Sequence, residues 1–143
     1  MKVKQISVFL ENKAGRLADA TKILGEHQIN IRALAVADTA DFGVLRMIVN
    51  KPEEAVDVLK KEGFTVKETD VIAAEVPDKP GGLAEVLEVL RKENINIEYL
   101  YCFVEKSGGA AIVVFRIDDI DKAVTALKKA RITLLSGERL YLL

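Results

Sequence analysis

Ile6, Val8 and Leu10 alternate with polar or smaller residues, and the same two-residue period returns at Ile72, Ala74 and Val76. Each run predicts a half-buried strand. The period then lengthens. Leu83, Val86, Leu87 and Leu90 fall at i, i+3, i+4 and i+7, the apolar stripe of a helix lying on a sheet. Its earlier counterpart, Leu17, Ala20, Thr21 and Leu24, is thinner. Second strands are predicted over 31–37 and 97–104 and third strands over 44–49 and 111–117, after hairpins turned by Gly43 and by Gly108 with Gly109. Second helices start near Pro52 and near Asp118 and Asp119, since Pro suits a first helical turn and acids favour an N-terminus. They close on Lys60–Lys61 and Lys128–Lys129, and last strands follow over 64–69 and 132–135. The order β-α-β-β-α-β is written twice.

The residues themselves repeat. Residues 12–34 laid on 78–100 give nine identities in 23 positions, among them Lys13/Lys79, Gly15/Gly81, Leu17/Leu83, Asn30/Asn96 and Leu34/Leu100. A shift of 68 aligns Ala55, Val56, Leu59, Lys60 and Lys61 with Ala123, Val124, Leu127, Lys128 and Lys129. The chain is therefore read as two domains, 1–69 and 70–143, each of about 70 residues and marginal on its own. No Gly/Pro-rich linker separates them; residues 67–70 alone join the last strand of one to the first of the next. Residues 139–143 stand after the second unit where a strand follows the first, so an extra strand is expected there.

Composition narrows the function. Half of the 143 residues are apolar and 30% charged, with a net charge of −1. That balance lacks the cationic field needed for nucleic acid or a membrane surface, so neither is expected as a partner. One cysteine allows no internal disulfide and no Cys-x-x-Cys site. The longest run free of acidic and basic residues is nine, against the ~18 expected of a membrane span. The apolar run near the N-terminus is too short for a signal peptide and recurs inside the chain, so a cytoplasmic location is expected.

What the copies share most closely is a loop: Asn12-Lys13-Ala14-Gly15-Arg16-Leu17 in the first, Asp78-Lys79-Pro80-Gly81-Gly82-Leu83 in the second. It follows a strand and precedes a helix. Pro80 fixes φ and would start the helix without needing an amide partner. Gly81 and Gly82 leave no Cβ over the first-turn amides, which point outward at the positive end of the helix dipole. A carboxylate fits there. Asp78 or Asn12, with Asn96 or Asn30 at the start of the neighbouring strand, add side-chain groups that suit a zwitterion. The helix end supplies roughly 0.3–1 kcal/mol, whereas sensing between millimolar and micromolar needs about 4–8 kcal/mol. Two or three charge-assisted bonds of about 1.5–3 kcal/mol each, in a pocket closed by a second domain, would meet that need.

Strand, Asp/Asn-x-Pro-Gly-x-Leu, helix, Asn-Ile and strand in a unit of this size closely resembles the ACT domain, over nearly the whole chain and twice. The resemblance implies an α+β fold of two ferredoxin-like βαββαβ units with antiparallel sheets, helices packed on one face, paired side by side. It implies a stand-alone, non-enzymatic regulator of amino-acid metabolism, binding a small amino acid where two domains meet. The ligand set it implies is Asn12, Ala14, Gly15, Arg16, Leu17 and Asn30 in the first copy, and Asp78, Pro80, Gly81, Gly82, Leu83 and Asn96 in the second. Ala14 stands for the usual proline and Arg16 for the small residue at Gly82, so the first loop is expected to be looser or its ligand different. No cofactor, metal or catalytic residue is implied; a homodimer, and a regulated enzyme or a transcription partner, are. The alternative is a ligand-free structural or regulatory partner of an amino-acid-metabolism enzyme.

Other residues have plainer readings. Gly15 and Gly81 also suit ordinary turns, Asp78 an Asx turn, and Asn30 and Asn96 helix ends. Tyr99, Tyr101 and Phe103 share one face of a strand whose other face carries Leu100, Cys102 and Val104, so neither face is expected to be fully open to water. Cys102 reads as a small buried hydrophobe and His27 as a solvated surface residue. An acylphosphatase-like enzyme would need an arginine-bearing phosphate loop with different spacing. An RNA-binding sheet would need exposed aromatics and a basic surface.

Overall fold

The computed structural model describes residues 1–38, 41–103 and 109–142. Val104 and Gly108, given strand and turn roles above, lie outside them. The chain divides into two compact units: residues 4–69 with the chain's end from Tyr141, and residues 1–3 with 70–140.

The first unit contains β1 (Val3–Glu11), α1 (Arg16–Glu26), β2 (Ile31–Asp38), β3 (Phe42–Val49), α2 (Pro52–Lys61) and the start of β4 (Thr65–Pro77). Its strands lie in the order β2-β3-β1-β4. β3 is antiparallel to β1, with Val8 opposite Leu45, and to β2, with Leu34 opposite Met47. Ile6, Val8 and Leu10 with Leu45, Met47 and Val49 form one face, and Ala20, Leu24, Ala55 and Leu59 of the two helices pack on it. The second unit repeats this with the rest of β4, α3 (Gly82–Lys92), β5 (Ile97–Cys102), β6 (Ala110–Ile117), α4 (Ile120–Lys129) and β7 (Leu134–Leu135), in the order β5-β6-β4-β7. Ile72, Ala74, Val76, Val113, Phe115 and Ile117 meet Val86, Leu90, Ala123 and Leu127. The fold is α+β, with the βαββαβ order twice and the helices on one face of each antiparallel sheet.

Several expectations are corrected. The last strand of the first unit and the first strand of the second are not separate: Lys67, Glu68, Thr69 and Asp70, where the units meet, lie inside β4, a single strand of 13 residues. Gly43 is not a turn residue but the second residue of β3, opposite Leu10 and Asp38. The chain's end forms a short helix, α5 (Gly137–Tyr141), instead of a strand. Ser136 explains this: its hydroxyl accepts from the Arg139 amide and its carbonyl from the Leu140 amide, and Leu140 is fully buried. The helix delivers the Tyr141 hydroxyl to the Lys4 amide, from which it accepts a hydrogen bond at 3.1 Å.

The apolar stripes also begin one residue late. Ala20 and Leu24, like Val86 and Leu90, are buried, whereas Leu17 and Leu83 are 40% and 37% exposed. Each helix overhangs its sheet at the first turn. The edge strands behave alike: Leu34 and Val36 pair with core residues Met47 and Leu45 yet remain exposed, as do Leu100 and Cys102 opposite Phe115 and Val113. Cys102 is thus exposed rather than buried: it ends the outermost strand, whose first residue, Ile97, is the one packed against the core. Tyr101, on the other face of β5, and Phe103, just beyond the strand, are buried.

Candidate functional site

The two loops take one conformation from different residues. Gly15 (φ 90°, ψ −16°) and Gly81 (φ 83°, ψ −6°) are the N-caps of α1 and α3 and occupy the left-handed region. The Gly82 amide donates to the Lys79 carbonyl at 3.0 Å, and the Arg16 amide to the Lys13 carbonyl at 3.5 Å. A positive φ with ψ near zero at the third residue is a type II turn, with Pro80 or Ala14 at the second. Pro80 therefore shapes the turn before the helix and is not a helical residue, correcting the expectation that it starts α3. Ala14 supports the same turn, its closing bond longer by half an ångström.

A glycine N-cap has no side chain to offer, and neither helix has a side-chain cap bond. The first in-helix bonds run from the Asp19 amide to Gly15 and from the Glu85 amide to Gly81. The amides of Leu17 and Ala18, and of Leu83 and Ala84, precede those bonds and are the donors a helix leaves over. Space above the N-caps is open: a Cβ built on Gly15 or Gly81 meets nothing within 4 Å. Gly82 is different. It is buried, and a Cβ there would fall far inside contact distance of the Pro77 carbonyl oxygen, 3.0 Å from Pro77 C and 3.3 Å from Pro77 Cβ. Close packing of α3 on the end of β4 demands this glycine.

Charge is arranged differently in the two loops. In the first, Lys13 bonds Glu11 at 3.1 Å, and that hydrogen bond, with the lysine's charge, holds the Glu11 carboxyl below its ordinary range. The Arg16 guanidinium turns sideways: it pairs with Asp19 at 3.6 Å, lies 4.4 Å from the centroid of the Phe64 ring, and buries an unpartnered Nε. In the second loop Lys79 meets Glu85 at 3.7 Å, and Asp78 and Pro80 are exposed.

Asn30 and Asn96 lie at the other end of each helix. Their main chains are tied to the start of the next helix: the Asn30 amide donates to Asn50 Oδ1, the Asn50 amide to the Asn30 carbonyl, and the Asp118 amide to the Asn96 carbonyl. They do not end the helices; Gln28 and Asn94, with φ of 59° and 54°, do that. Asn96 lines a depression of about 460 Å³ with Asn94, Leu87 and the ion pair of Arg91 and Glu88. Arg91 holds the Glu88 carboxyl below its ordinary range. An α-helix of 11 residues is about 16 Å long. Within one unit, then, the loop residues Asn12, Ala14, Gly15, Arg16 and Leu17 come together, as do Asp78, Pro80, Gly81, Gly82 and Leu83, but Asn30 and Asn96 stand a helix length away.

Sequence reasoning missed the exposed apolar residues of the edge strands, Leu34 and Val36 on β2 in the first unit and Leu100 on β5 in the second. Leu34 and Leu100 are identical across the repeat; that identity was the signal, since an apolar residue repeated on a strand's uncovered face has no core to explain it. Among the described residues, no three His, Cys, Asp or Glu side chains group as metal ligands. No helix among them is long and apolar enough to cross a membrane.

Comparison with known proteins agrees with this architecture. Protein BT0572 from Bacteroides thetaiotaomicron superposes with a TM-score of 0.94 at 43% identity, covering 100% of this chain and 98% of that one. The ligand-free regulatory subunit of aspartate kinase from Thermus thermophilus gives a TM-score of 0.65 at 16% identity, covering 89% and 91%. The corresponding subunit from Thermus flavus gives 0.62, also at 16% identity, covering 90% and 92%. The latter two share the fold. A search of curated protein sequences yields no match. Residues 1–142 match the profile of the ACT domain pair, and with the duplicated βαββαβ fold and its paired glycine-capped loops this chain belongs to that family.

Proposed function

We propose that the protein is a regulator that binds a small amino acid, each site combining the glycine-capped loop of one ACT unit with the helix-end asparagine of a unit from a second copy of the chain. The carrying observation is the distance along α1 and α3. A ligand of amino-acid size cannot span about 16 Å, but two units facing each other head to tail bring the loop of one opposite the asparagine of the other. The uncapped amides of Leu83 and Ala84, or of Leu17 and Ala18, receive the carboxylate. Asn96 or Asn30, with Asp78 or Asn12, receives the ammonium.

The exposed apolar residues on the edge strand of each unit support this geometry. Leu34, Val36 and Leu100 sit on edge strands β2 and β5, whose outer backbone groups suit pairing with another strand. Ligand and partner then stabilise one another, because each completes the pocket the other needs. That coupling is the regulatory output.

The test is calorimetry against the twenty amino acids, with sedimentation velocity in parallel. One or a few should bind and raise the dimer fraction, and Gly81→Asp, which sets a carboxylate over the open amides, should remove the response of the second loop. Silence from all twenty, with wild-type and variant alike, leaves a structural partner without a ligand.

A further inference from the structure

The two copies differ beside the starts of α1 and α3. In the second unit a cleft of about 480 Å³ opens there, lined by Glu75, Glu85, Val86, Val89, Arg131 and Ile132, among others. The repeat identifies its counterparts: Asp19 stands for Glu85, Phe64 for Ile132, Gly63 for Arg131 and Arg16 for Gly82. The turns bear the equivalence out. The Phe64 and Ile132 amides bond the carbonyls of Leu59 and Leu127, and Gly63 and Arg131 share a positive φ of 87° and 62°. In the first unit, then, a guanidinium from the chain lies on Phe64 beside Asp19. In the second the carboxylate and the apolar platform remain, but Gly82 supplies no side chain.

The geometry points to this cleft as a second binding site, distinct from the loop amides, for a small zwitterion carrying a guanidinium: free arginine or a close analogue. Ile132 and Val89 form the floor for the alkyl stem, as Phe64 does for Arg16. Glu85 takes the guanidinium; a planar bidentate donor displaces the exposed Lys79 from Glu85 because the fork bonds both oxygens. Arg131 takes the ligand's carboxylate. It holds a left-handed conformation that L side chains adopt at a cost, at the position where the other copy has glycine. This inference stands whether or not the loop binds an amino acid.

Titrating L-arginine and L-norvaline, which lacks the guanidinium, into the ¹⁵N-labelled full chain tests it. Arginine should shift the amides of Val89, Arg131 and Thr133, and norvaline should not. Glu85→Gln should weaken arginine binding by about tenfold or more, the loss of one charge-assisted bond. Arg131→Gly should raise Tm while weakening binding, opposite movements that a purely structural role would not produce. The proposal is overturned by no shifts at millimolar arginine, by equal shifts from norvaline, or by unchanged affinity in either variant. It is equally overturned by shifts confined to Gly81, Leu83 and Ala84 that vanish in Gly81→Asp, which would assign arginine to the loop.

Discussion

Gly82→Ala is the sharpest probe of how the second loop is built. The added methyl meets the Pro77 main chain, with Pro77 C at 3.0 Å and the carbonyl oxygen far closer. The obstacle is backbone at the end of a paired strand, Pro77 standing opposite Ala110, so no side-chain rotation relieves it. Overpacking typically costs 1–3 kcal/mol, and with a backbone obstacle the expected value is about 3 kcal/mol. Gly81→Ala is the control. Its methyl meets nothing within 4 Å, and its cost is the left-handed φ of 83°, about 1–2 kcal/mol. At roughly 3 °C of Tm per kcal/mol for a chain of this length, the losses should be about 9 °C and about 3–6 °C. Urea titration gives the free energies and calorimetry the temperatures. A Gly82→Ala protein no less stable than Gly81→Ala would refute the claim that α3 is seated on Pro77.

Three further outcomes follow from features already described. Leu34→Glu and Leu100→Glu, on exposed edge positions, should each leave monomer stability within about 0.5 kcal/mol of wild type while lowering the dimer fraction in sedimentation velocity; unchanged association would remove the edge strands from the partner surface. Lys51 caps α2 without a side-chain bond, whereas its counterpart Asp119 accepts from the Lys122 amide at 3.1 Å. Lys51→Asp should therefore stabilise, and Asp119→Ala destabilise, by about 1 kcal/mol in urea titration. Burial raises the Tyr141 hydroxyl above its ordinary pKa, outweighing its bond from the Lys4 amide. A raised folded value means that stability is fully present below the ordinary value near 10 and falls as pH rises through the folded one; urea midpoints measured upward from pH 9 should show that decline in wild type and a smaller one in Tyr141→Phe.

The repeat and the alternation of apolar residues carried the fold, because a two-residue and a 3.6-residue period differ sharply over seven to ten positions. Periodicity does not say where a sheet stops. Leu17 and Leu83 each open a helical stripe and still overhang their sheets, and Leu100 and Cys102 read as interior because no sequence pattern marks a strand as outermost. The polar residues at 67–70 looked like a break between two strands, yet a strand tolerates polar residues wherever one face meets water. In the loop, Gly81 was legible from Pro80 before it, a pairing common in type II turns. Gly82 beside it looked equivalent and has another cause, visible only once β4 and α3 are packed. The turn at Ser136 had its signal in the sequence, a serine before Gly137 and Glu138, overlooked because a strand follows the first unit at the matching place.

Cys102 is the chain's single thiol, and it stands uncovered on β5. Its rate of reaction with a colorimetric disulfide reagent is thus a built-in gauge, needing no label and no mutation. Any metabolite that drives another molecule onto that strand should slow the chromophore's release, and one that acts elsewhere should leave the trace untouched.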